Sequence, residues 1–84
     1  MKFTPDWSPI EQELAQIWLN APDRQAVTEA AYEIDRLLTR DPLNAGESRE
    51  GNTRILIVEP LAVYYDVILD DHRVLIWQIW RWGA

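Results

Sequence analysis

The segment RVLIWQIWRW, residues 73–82, constrains the fold more than any other part of the chain. It holds three tryptophans and four branched aliphatic residues, and its polar side chains are Arg73, Gln78 and Arg81. A strand in a small two-layer domain usually alternates between apolar and polar residues, because one face lies on the core and the other in water. This strand is apolar on both sides. Its second face therefore needs a cover, either from this chain or from a partner.

The composition predicts one domain spanning residues 1–84, near the size at which a partner often helps to stabilise a fold. The absence of cysteine excludes disulfides and Cys-based metal or thiol chemistry, and we expect no cofactor. The start, MKFTPDW, does not resemble a signal peptide, and no stretch approaches the roughly 20 apolar residues of a membrane span. We therefore expect a soluble, cytoplasmic protein with no membrane contact.

The net charge of −6, with one lysine among eight cations, argues against a protein that binds nucleic acid directly. Binding to phosphate backbones depends on clustered Lys and Arg, and the arginines of this chain are spread from Arg24 to Arg81. The charge favours a protein partner.

Two amphipathic helices are predicted after a short first strand within residues 1–7. The first begins with Ser8 as N-cap, Pro9 at the first helical position and Glu11 placed to complete a capping box. Its apolar stripe is Ile10, Leu14, Ile17 and Trp18, with Trp18 expected in the core.

The second helix is predicted to start near Asp23 and to end near Arg40, antiparallel to the first because the connection is short. Its alanines favour close approach of another helix. The apolar stripe consists of Val27, Ala30, Ala31, Ile34, Leu37 and Leu38. Residues 40–52 are rich in turn-forming side chains and are expected to form a mobile surface loop.

Three strands are predicted after residue 53, separated by Pro60 and by the turn DDH. The element order is β-α-α-β-β-β. Helices grouped early and strands grouped late predict an α+β domain, with the helical hairpin packed on one face of a small antiparallel β-sheet.

The faces of the last two strands follow from their register. A tight turn near Asp71 and His72 would place Leu69 opposite Val74. One face would then carry Val63, Tyr65, Val67, Val74, Ile76, Gln78 and Trp80. The other would carry Ala62, Tyr64, Asp66, Leu75, Trp77 and Ile79.

Two short helices cover one side of such a sheet, so the second set would form an exposed apolar area of the kind that marks a protein partner. The alternative is that the polar loop or the first strand folds over it. We predict a partner-binding site that also includes the end of the chain, where tryptophan favours interface contacts. Its residues are Tyr64, Leu75, Trp77, Ile79, Arg81 and Trp82. Trp80 is assigned to the core.

No residue is predicted to be catalytic or to bind a metal. The single histidine, His72, lies in a turn beside Asp70 and Asp71, where neighbouring side chains diverge. Asp66, inside an apolar strand, is expected to form an ion pair with Arg54 or Arg81. Arg54 is a candidate functional cation. The alternative is a structural role, in which Arg54 pairs with a helix carboxylate.

The chain resembles the RelE/ParE superfamily of bacterial type II toxins over nearly its whole length. The resemblance includes the element order, the segments EQELAQIW and LLTRDP, and the tail from residue 51 to residue 79. The matching positions of the tail are Gly51, Arg54, Pro60, Val63, Tyr65 and Val67. It implies a toxin neutralised by a cognate antitoxin, whose disordered segment folds along the helices and over the sheet.

The resemblance also implies one of two activities. RelE-like members cut messenger RNA on the ribosome, whereas ParE-like members are associated with inhibition of DNA gyrase. Ribonuclease members resemble each other in an Arg three residues before the tyrosine of Val-x-Tyr, and in a His or Tyr near the C-terminus. Here these places hold Ala62 and the tail Trp80 to Ala84. Ala62 offers no group for proton transfer or charge stabilisation, so the ParE-like branch is favoured.

Two alternatives stay open. One is a ribosome-dependent endoribonuclease that uses Arg54, Arg81 and Asp66 in a rearranged site. The other is a non-toxic homodimer in which two copies pair their Trp77 faces.

Overall fold

A computed structural model, which describes residues 2–83, places a single layer of helices on one side of a five-stranded sheet. Met1, the first residue of the segment predicted to form the first strand, and Ala84, the last residue of the tail, lie outside the described residues. The strands are β1 (Thr4–Asp6), β2 (Glu47–Ser48), β3 (Thr53–Val58), β4 (Leu61–Ile68) and β5 (Arg73–Arg81). The helices are α1 (Glu11–Asn20), α2 (Arg24–Arg40) and α3 (Pro42–Ala45), with a 3-10 turn at Ser8–Ile10.

The sheet has the order β1-β5-β4-β3-β2 and is mixed, so the expectation of a purely antiparallel sheet is wrong at one edge. The short strand β1 pairs in parallel with β5, and the other three pairs are antiparallel. A parallel pair needs a long crossover, and here the helices and the remaining strands provide it. The α+β class and the central order of elements are as predicted.

The start of the first helix differs from the predicted capping box. Ser8 donates from its hydroxyl and from its backbone N–H to the carboxylate of Asp6, at 2.7 and 3.0 Å. These bonds hold the pKa of the Asp6 carboxyl below its usual value. Because Ser8 serves as a donor to Asp6, it caps no helix, and regular α-helix starts at Glu11.

The start of α2 is as predicted. The carboxylate of Asp23 accepts a hydrogen bond from the backbone N–H of Ala26 at 3.1 Å, which satisfies one of the free donors of the first turn. The side of α2 that faces the sheet is fully buried. It consists of Val27, Ala30, Ile34 and Leu38.

The core lies between α2, α1 and the inner face of the sheet. Strand β4 contributes residues in alternate positions, because successive side chains point to opposite faces. The largest fully buried side chains include Leu61, Val63, Tyr65, Val74 and Ile76.

Residues 40–52 contain short regular elements and contact the core, so the interpretation of the whole segment as a loop is wrong. The segment contains α3 and the edge strand β2. The hydroxyl of Tyr65 donates to the carbonyl oxygen of Pro42 at 2.6 Å, and Arg54 donates to the carbonyl oxygen of Gly46 at 3.2 Å. Turn-forming residues therefore mark a change of direction here, while the buried tyrosine and the arginine hold the segment in place.

Removing the Tyr65 hydroxyl is expected to weaken the fold most at neutral pH. The variant Tyr65→Phe leaves the Pro42 carbonyl without its donor, which costs about 1–3 kcal/mol. Burial raises the pKa of Tyr65, and the nearby Arg54 opposes that shift. The neutral hydroxyl therefore contributes its stability below the unfolded pKa of about 10, and the contribution is lost as the pH rises through the folded pKa.

Urea unfolding between neutral and alkaline pH tests this. The curves of wild type and Tyr65→Phe should converge above about pH 10. The exposed tyrosine Tyr32 provides the control, since Tyr32→Phe should follow wild type throughout. Parallel curves for wild type and Tyr65→Phe would contradict the assignment.

Candidate functional site

The side of the sheet that faces away from the helices carries a band of aromatic side chains. We call this side the outer face, and its residues are set by the pairings of β3, β4 and β5. Its apolar members are Ile55, Ile57, Ala62, Tyr64, Leu75, Trp77 and Trp80. None of them belongs to the core cluster that packs against the described helices. The outer face therefore has no helical cover among residues 2–83.

The polar loop and the first strand, which were the alternative cover expected from this chain, do not lie over the outer face. Strand β1 extends the sheet beyond β5, and β2 extends it beyond β3. The helix α3 lies on the inner side, because its Pro42 carbonyl accepts from the inward-facing Tyr65. The polar segment and the first strand thus lengthen the sheet. On the outer face Ile57 and Trp77 remain exposed, while Ile55 and Ala62 are buried.

A β-bulge in the middle of β5 decides which residues reach the outer face. Tyr65 lies opposite Ile76, and Tyr64 lies opposite Gln78, so Trp77 is the extra residue of β5. The turn itself places Val67 opposite Val74, two residues away from the predicted register. A shift of two residues keeps every side chain on its face, whereas the bulge reverses the faces beyond it.

The predicted faces of Ile79 and Trp80 are therefore wrong. Ile79 lies opposite Val63 and is 6% exposed, within the core cluster. Trp80 lies opposite Ala62 on the outer face and is half-buried. The two residues have exchanged roles, because one inserted residue shifts the alternation by one.

Tyr64 stands at the centre of an aromatic cluster on the outer face. Its ring stacks on Trp77 at 5.3 Å between centroids, with an interplanar angle of 17°. The Trp80 ring also contacts it, at 5.0 Å between centroids and with an interplanar angle of 49°. Trp77 keeps 40% of its surface exposed and Ile57 keeps 39%. The cluster is a preorganised apolar surface of the type that forms the centre of protein interfaces.

Asp66 orients this cluster and forms no ion pair within residues 2–83. Its carboxylate accepts from the Thr53 hydroxyl at 2.8 Å and from the Trp77 indole N–H at 3.1 Å. The expected pairs with Arg54 and Arg81 are wrong, because Arg54 lies opposite Tyr65 and Arg81 opposite Leu61, both on the inner face. Asp66 instead fixes the rotamer of an exposed tryptophan.

The remaining predicted site residues are dispersed. Leu75 is half-buried on the outer face, opposite Asp66. Arg81 is exposed and borders a separate groove beside α1. Trp82 is 42% exposed, and its backbone N–H donates to the carbonyl oxygen of Pro60 at 2.8 Å. The structure thus groups Tyr64, Leu75 and Trp77, while the other three lie apart from them.

The alternative predicted for Arg54, a structural pair with a helix carboxylate, is also wrong. Among the described residues, Arg54 donates to the backbone carbonyl oxygen of Gly46 and to no helix carboxylate. Arg54 and Arg81 are on the same face but pair with positions four residues apart on β4, which is about 13 Å along a strand. Asp66 lies on the opposite face. The three residues do not form one site.

A groove between α1 and α2 was not expected from the sequence. This helical groove has a volume of about 580 Å³. Its apolar lining includes Trp7, Leu14, Ala15, Trp18, Ala31 and Tyr32. The assignment of Trp18 to the core is wrong, since it is 39% exposed and its indole N–H donates to the Thr28 hydroxyl at 3.1 Å. The signal available in the sequence was the pair of aromatic residues Trp18 and Tyr32, one on each helix.

No group of three His, Cys, Asp or Glu side chains within residues 2–83 is placed to hold a metal ion. His72 lies in the exposed turn between β4 and β5, with its ring 5.5 Å from that of Phe3. None of the described helices has the length and apolar character needed to cross a bilayer.

Comparison with known proteins gives structural relatives only. No protein-family model and no curated protein sequence matches the chain. A chain of the crystal structure of the toxin–antitoxin complex RelBE2 from Mycobacterium tuberculosis is similar, with a TM-score of 0.75 and 17% identity. The match covers 96% of this chain and 99% of that chain.

The isolated E. coli RelE toxin is similar with a TM-score of 0.63 and 11% identity, over 100% of this chain and 87% of that chain. At these identities the likeness concerns the fold, and it does not separate the RelE-like from the ParE-like branch. The chain therefore shares the fold of these two structures, as predicted.

Proposed function

We propose that this chain is the toxin component of a type II toxin–antitoxin system in the cytoplasm, and that its outer face binds a segment of the cognate antitoxin. The observation that carries the proposal is the partly exposed aromatic cluster of Tyr64, Trp77 and Trp80 on the outer face. The fold supports it, because one structural relative is described as a toxin–antitoxin complex and another as a RelE toxin.

The chemistry of the outer face suits an apolar peptide segment. The rings of Tyr64 and Trp77 are held rigid by stacking, and the Asp66 carboxylate fixes the indole of Trp77. Rigid aromatic groups lose little conformational entropy on binding, so more of the free energy gained by burying them contributes to affinity. A segment that folds on binding covers a long surface of this kind.

The finer part of the proposal is a ParE-like mode of action, in which the toxin binds a protein such as DNA gyrase and cuts no RNA. Position 62 supports it. Ala62 is fully buried beside Trp80 and has no group for proton transfer or charge stabilisation. The net charge of −6 also disfavours docking onto ribosomal RNA.

The second candidate is an mRNA endoribonuclease, favoured by the RelE names of both structural relatives. A ribonuclease could not combine Arg54 and Arg81 in one site, because the two residues are separated along the sheet. Two assays discriminate. The ParE-like mode predicts inhibition of supercoiling by purified gyrase and an uncut message in primer extension. Cleavage of a translated message by the wild-type chain would support the ribonuclease instead.

Growth and co-purification test the toxin proposal itself. Expression of this chain alone should slow a bacterial host, and co-expression of the small gene beside its own should restore growth and yield a complex. Equal growth in both cultures without a recovered complex would overturn the proposal. A stable dimer of the purified chain that Trp77→Ala dissociates would support the homodimer alternative.

Truncation of Trp77 tests the surface. Trp77→Ala is expected to weaken the complex by about 30-fold or more, as is typical of a central aromatic anchor. Leu69→Ala is the matched control, since Leu69 is 58% exposed in the turn beyond β4 and its loss should change the affinity less than about twofold. Affinity that is equal in wild type and Trp77→Ala would move the interface away from the outer face.

A further inference from the structure

We propose that the Asp66 carboxylate selects the occupant of the outer face, by binding an arginine side chain that stands among apolar residues of the antitoxin segment. The inference rests on the proposed function for the identity of that partner. The affinity of Asp66 for a guanidinium is measurable without the antitoxin, so the two proposals fail separately.

Both hydrogen bonds to Asp66 use the same carboxylate oxygen. Oδ1 accepts from the Thr53 hydroxyl at 2.8 Å and from the Trp77 indole N–H at 3.1 Å, and no group within residues 2–83 donates to Oδ2. Asp66 is half-buried, and among the described residues every fully buried polar side-chain atom has a partner. Oδ2 therefore lies at the surface of the outer face as a free acceptor.

The charge of Asp66 is not neutralised by an ion pair within residues 2–83. The strand pairings place one cation on the outer face, Arg73 at the start of β5, and it forms no ion pair with Asp66. They also place there two further carboxylates, those of Asp6 and Glu47. The outer face therefore carries an excess of negative charge, which favours a positively charged occupant.

Any cover over the outer face has to deal with this carboxylate. An apolar segment that packs on Tyr64 and Trp77 removes water from Asp66, which is then left with two neutral donors. Buried charges in proteins are paired, because neutral donors alone do not replace the hydration that a charged group loses. A segment that is apolar throughout is therefore disfavoured, and a segment with a cation at Asp66 is accepted.

Arginine suits this position better than lysine. A guanidinium group is planar, so it stacks on an aromatic ring while its N–H groups donate at its edge. Trp77 is 40% exposed and its indole N–H points at Asp66, so the exposed part of the ring and Oδ2 are neighbours. Arg24 shows the same combination elsewhere in the chain, since it lies 4.8 Å from the centroid of Trp18 and donates to a backbone carbonyl oxygen.

Short blocked peptides test the recognition directly. The probe is acetyl-Leu-Arg-Leu amide, and the control peptide has citrulline in place of arginine, which keeps the shape and removes the charge. The readout is the indole N–H resonance of Trp77 in NMR spectra of the full chain, assigned with Trp77→Phe. The arginine peptide should bind at least about fivefold more tightly, because its hydrogen bond to Oδ2 is charge-assisted. Equal affinity of the two peptides, or no shift by either up to about 10 mM, would overturn the proposal.

The variant Asp66→Asn separates recognition from the support that Asp66 gives to Trp77. An asparagine oxygen still accepts from Thr53 and Trp77, so the ring stays in place while the charge is lost. The preference for arginine over citrulline should disappear in this variant. Asp70→Asn makes the same change of net charge in the exposed turn and should keep the preference. An undiminished preference in Asp66→Asn, or an equal loss in both variants, would refute the assignment.

Salt dependence is a readout that a purely structural role of Asp66 would not change. Binding of the arginine peptide should weaken at least about threefold between about 0.05 and 0.5 M NaCl, with little change for the citrulline peptide, because salt screens exposed charges. Equal salt dependence of the two peptides would contradict the proposal. In a recovered antitoxin complex, the absence of an arginine at Asp66 would also refute it, whereas failure to recover any antitoxin would count against the proposed function alone.

Discussion

Replacing Ile79 with aspartate is expected to unfold the domain, whereas the same change at the neighbouring Gln78 is expected to leave it folded. Ile79 is 6% exposed and packs in the core opposite Val63, while Gln78 is exposed. A carboxylate at position 79 would be buried without a partner, at a cost of about 4 kcal/mol or more. A chain of 84 residues has a total unfolding free energy of about 4–13 kcal/mol, so little stability would remain.

Circular dichroism during urea unfolding measures the difference between the two variants. Both changes add one negative charge to the same strand, so global charge is matched. A third variant, Trp80→Asp, distinguishes the observed register, which contains the bulge, from a register without it. Uninterrupted alternation along β5 would place Trp80 in the core and Ile79 outside, so severe loss in Trp80→Asp with mild loss in Ile79→Asp would contradict the bulge.

The bulge also shows why the last strand was only partly predictable. Strand alternation has a period of two, so the two-residue error in the turn register left the faces of Tyr64 and Leu75 correct. The extra residue Trp77 reversed the faces beyond it, and nothing in a run that is apolar on both sides marks the place of an insertion. Only the pairing with β4 determines it.

Local chemistry predicted one helix start and missed the other. Asp23 caps α2 because its carboxylate accepts a hydrogen bond from the backbone N–H of Ala26. Ser8 is of a residue type that caps helices, but its hydroxyl donates a hydrogen bond to the carboxylate of Asp6, two positions earlier. Side chains of this class bond to whichever local partner is available, so a capping motif predicts a helix start only where such competitors are absent.

The order within residues 40–52 depends on partners that are distant in sequence. Tyr65 reaches back 23 residues to Pro42, and Arg54 reaches Gly46. Turn composition describes the local preference of such a segment, and it contains no information about a buried hydroxyl on another strand. The helical groove was missed for a similar reason, since the stripe of α1 predicts burial of Trp18 and the separation of α1 from α2 is a tertiary property.

Replacing Gly46 with alanine is expected to destabilise the domain strongly, for reasons of space. The backbone of Gly46 is extended, with φ of −118°, a conformation that any residue adopts. A Cβ atom here would lie 2.7 Å from the Tyr65 hydroxyl oxygen and also against the carbonyl oxygen of Ile55. Overpacking of this kind costs about 1–3 kcal/mol. For a domain of this size, 2 kcal/mol lowers the melting temperature by about 8–16 °C.

Gly51 provides a comparison in which the cost comes from the backbone conformation and not from space. It has a positive φ of 60°, and an added Cβ would meet nothing within 4 Å, so Gly51→Ala should cost only the roughly 1–2 kcal/mol of a left-handed backbone. Combining Gly46→Ala with Tyr65→Phe removes one of the two close contacts. The double variant should stay less stable than Tyr65→Phe alone, because the added Cβ still meets the Ile55 carbonyl oxygen, which belongs to the backbone of β3. Full recovery in the double variant would show that the hydroxyl alone excludes a side chain at position 46.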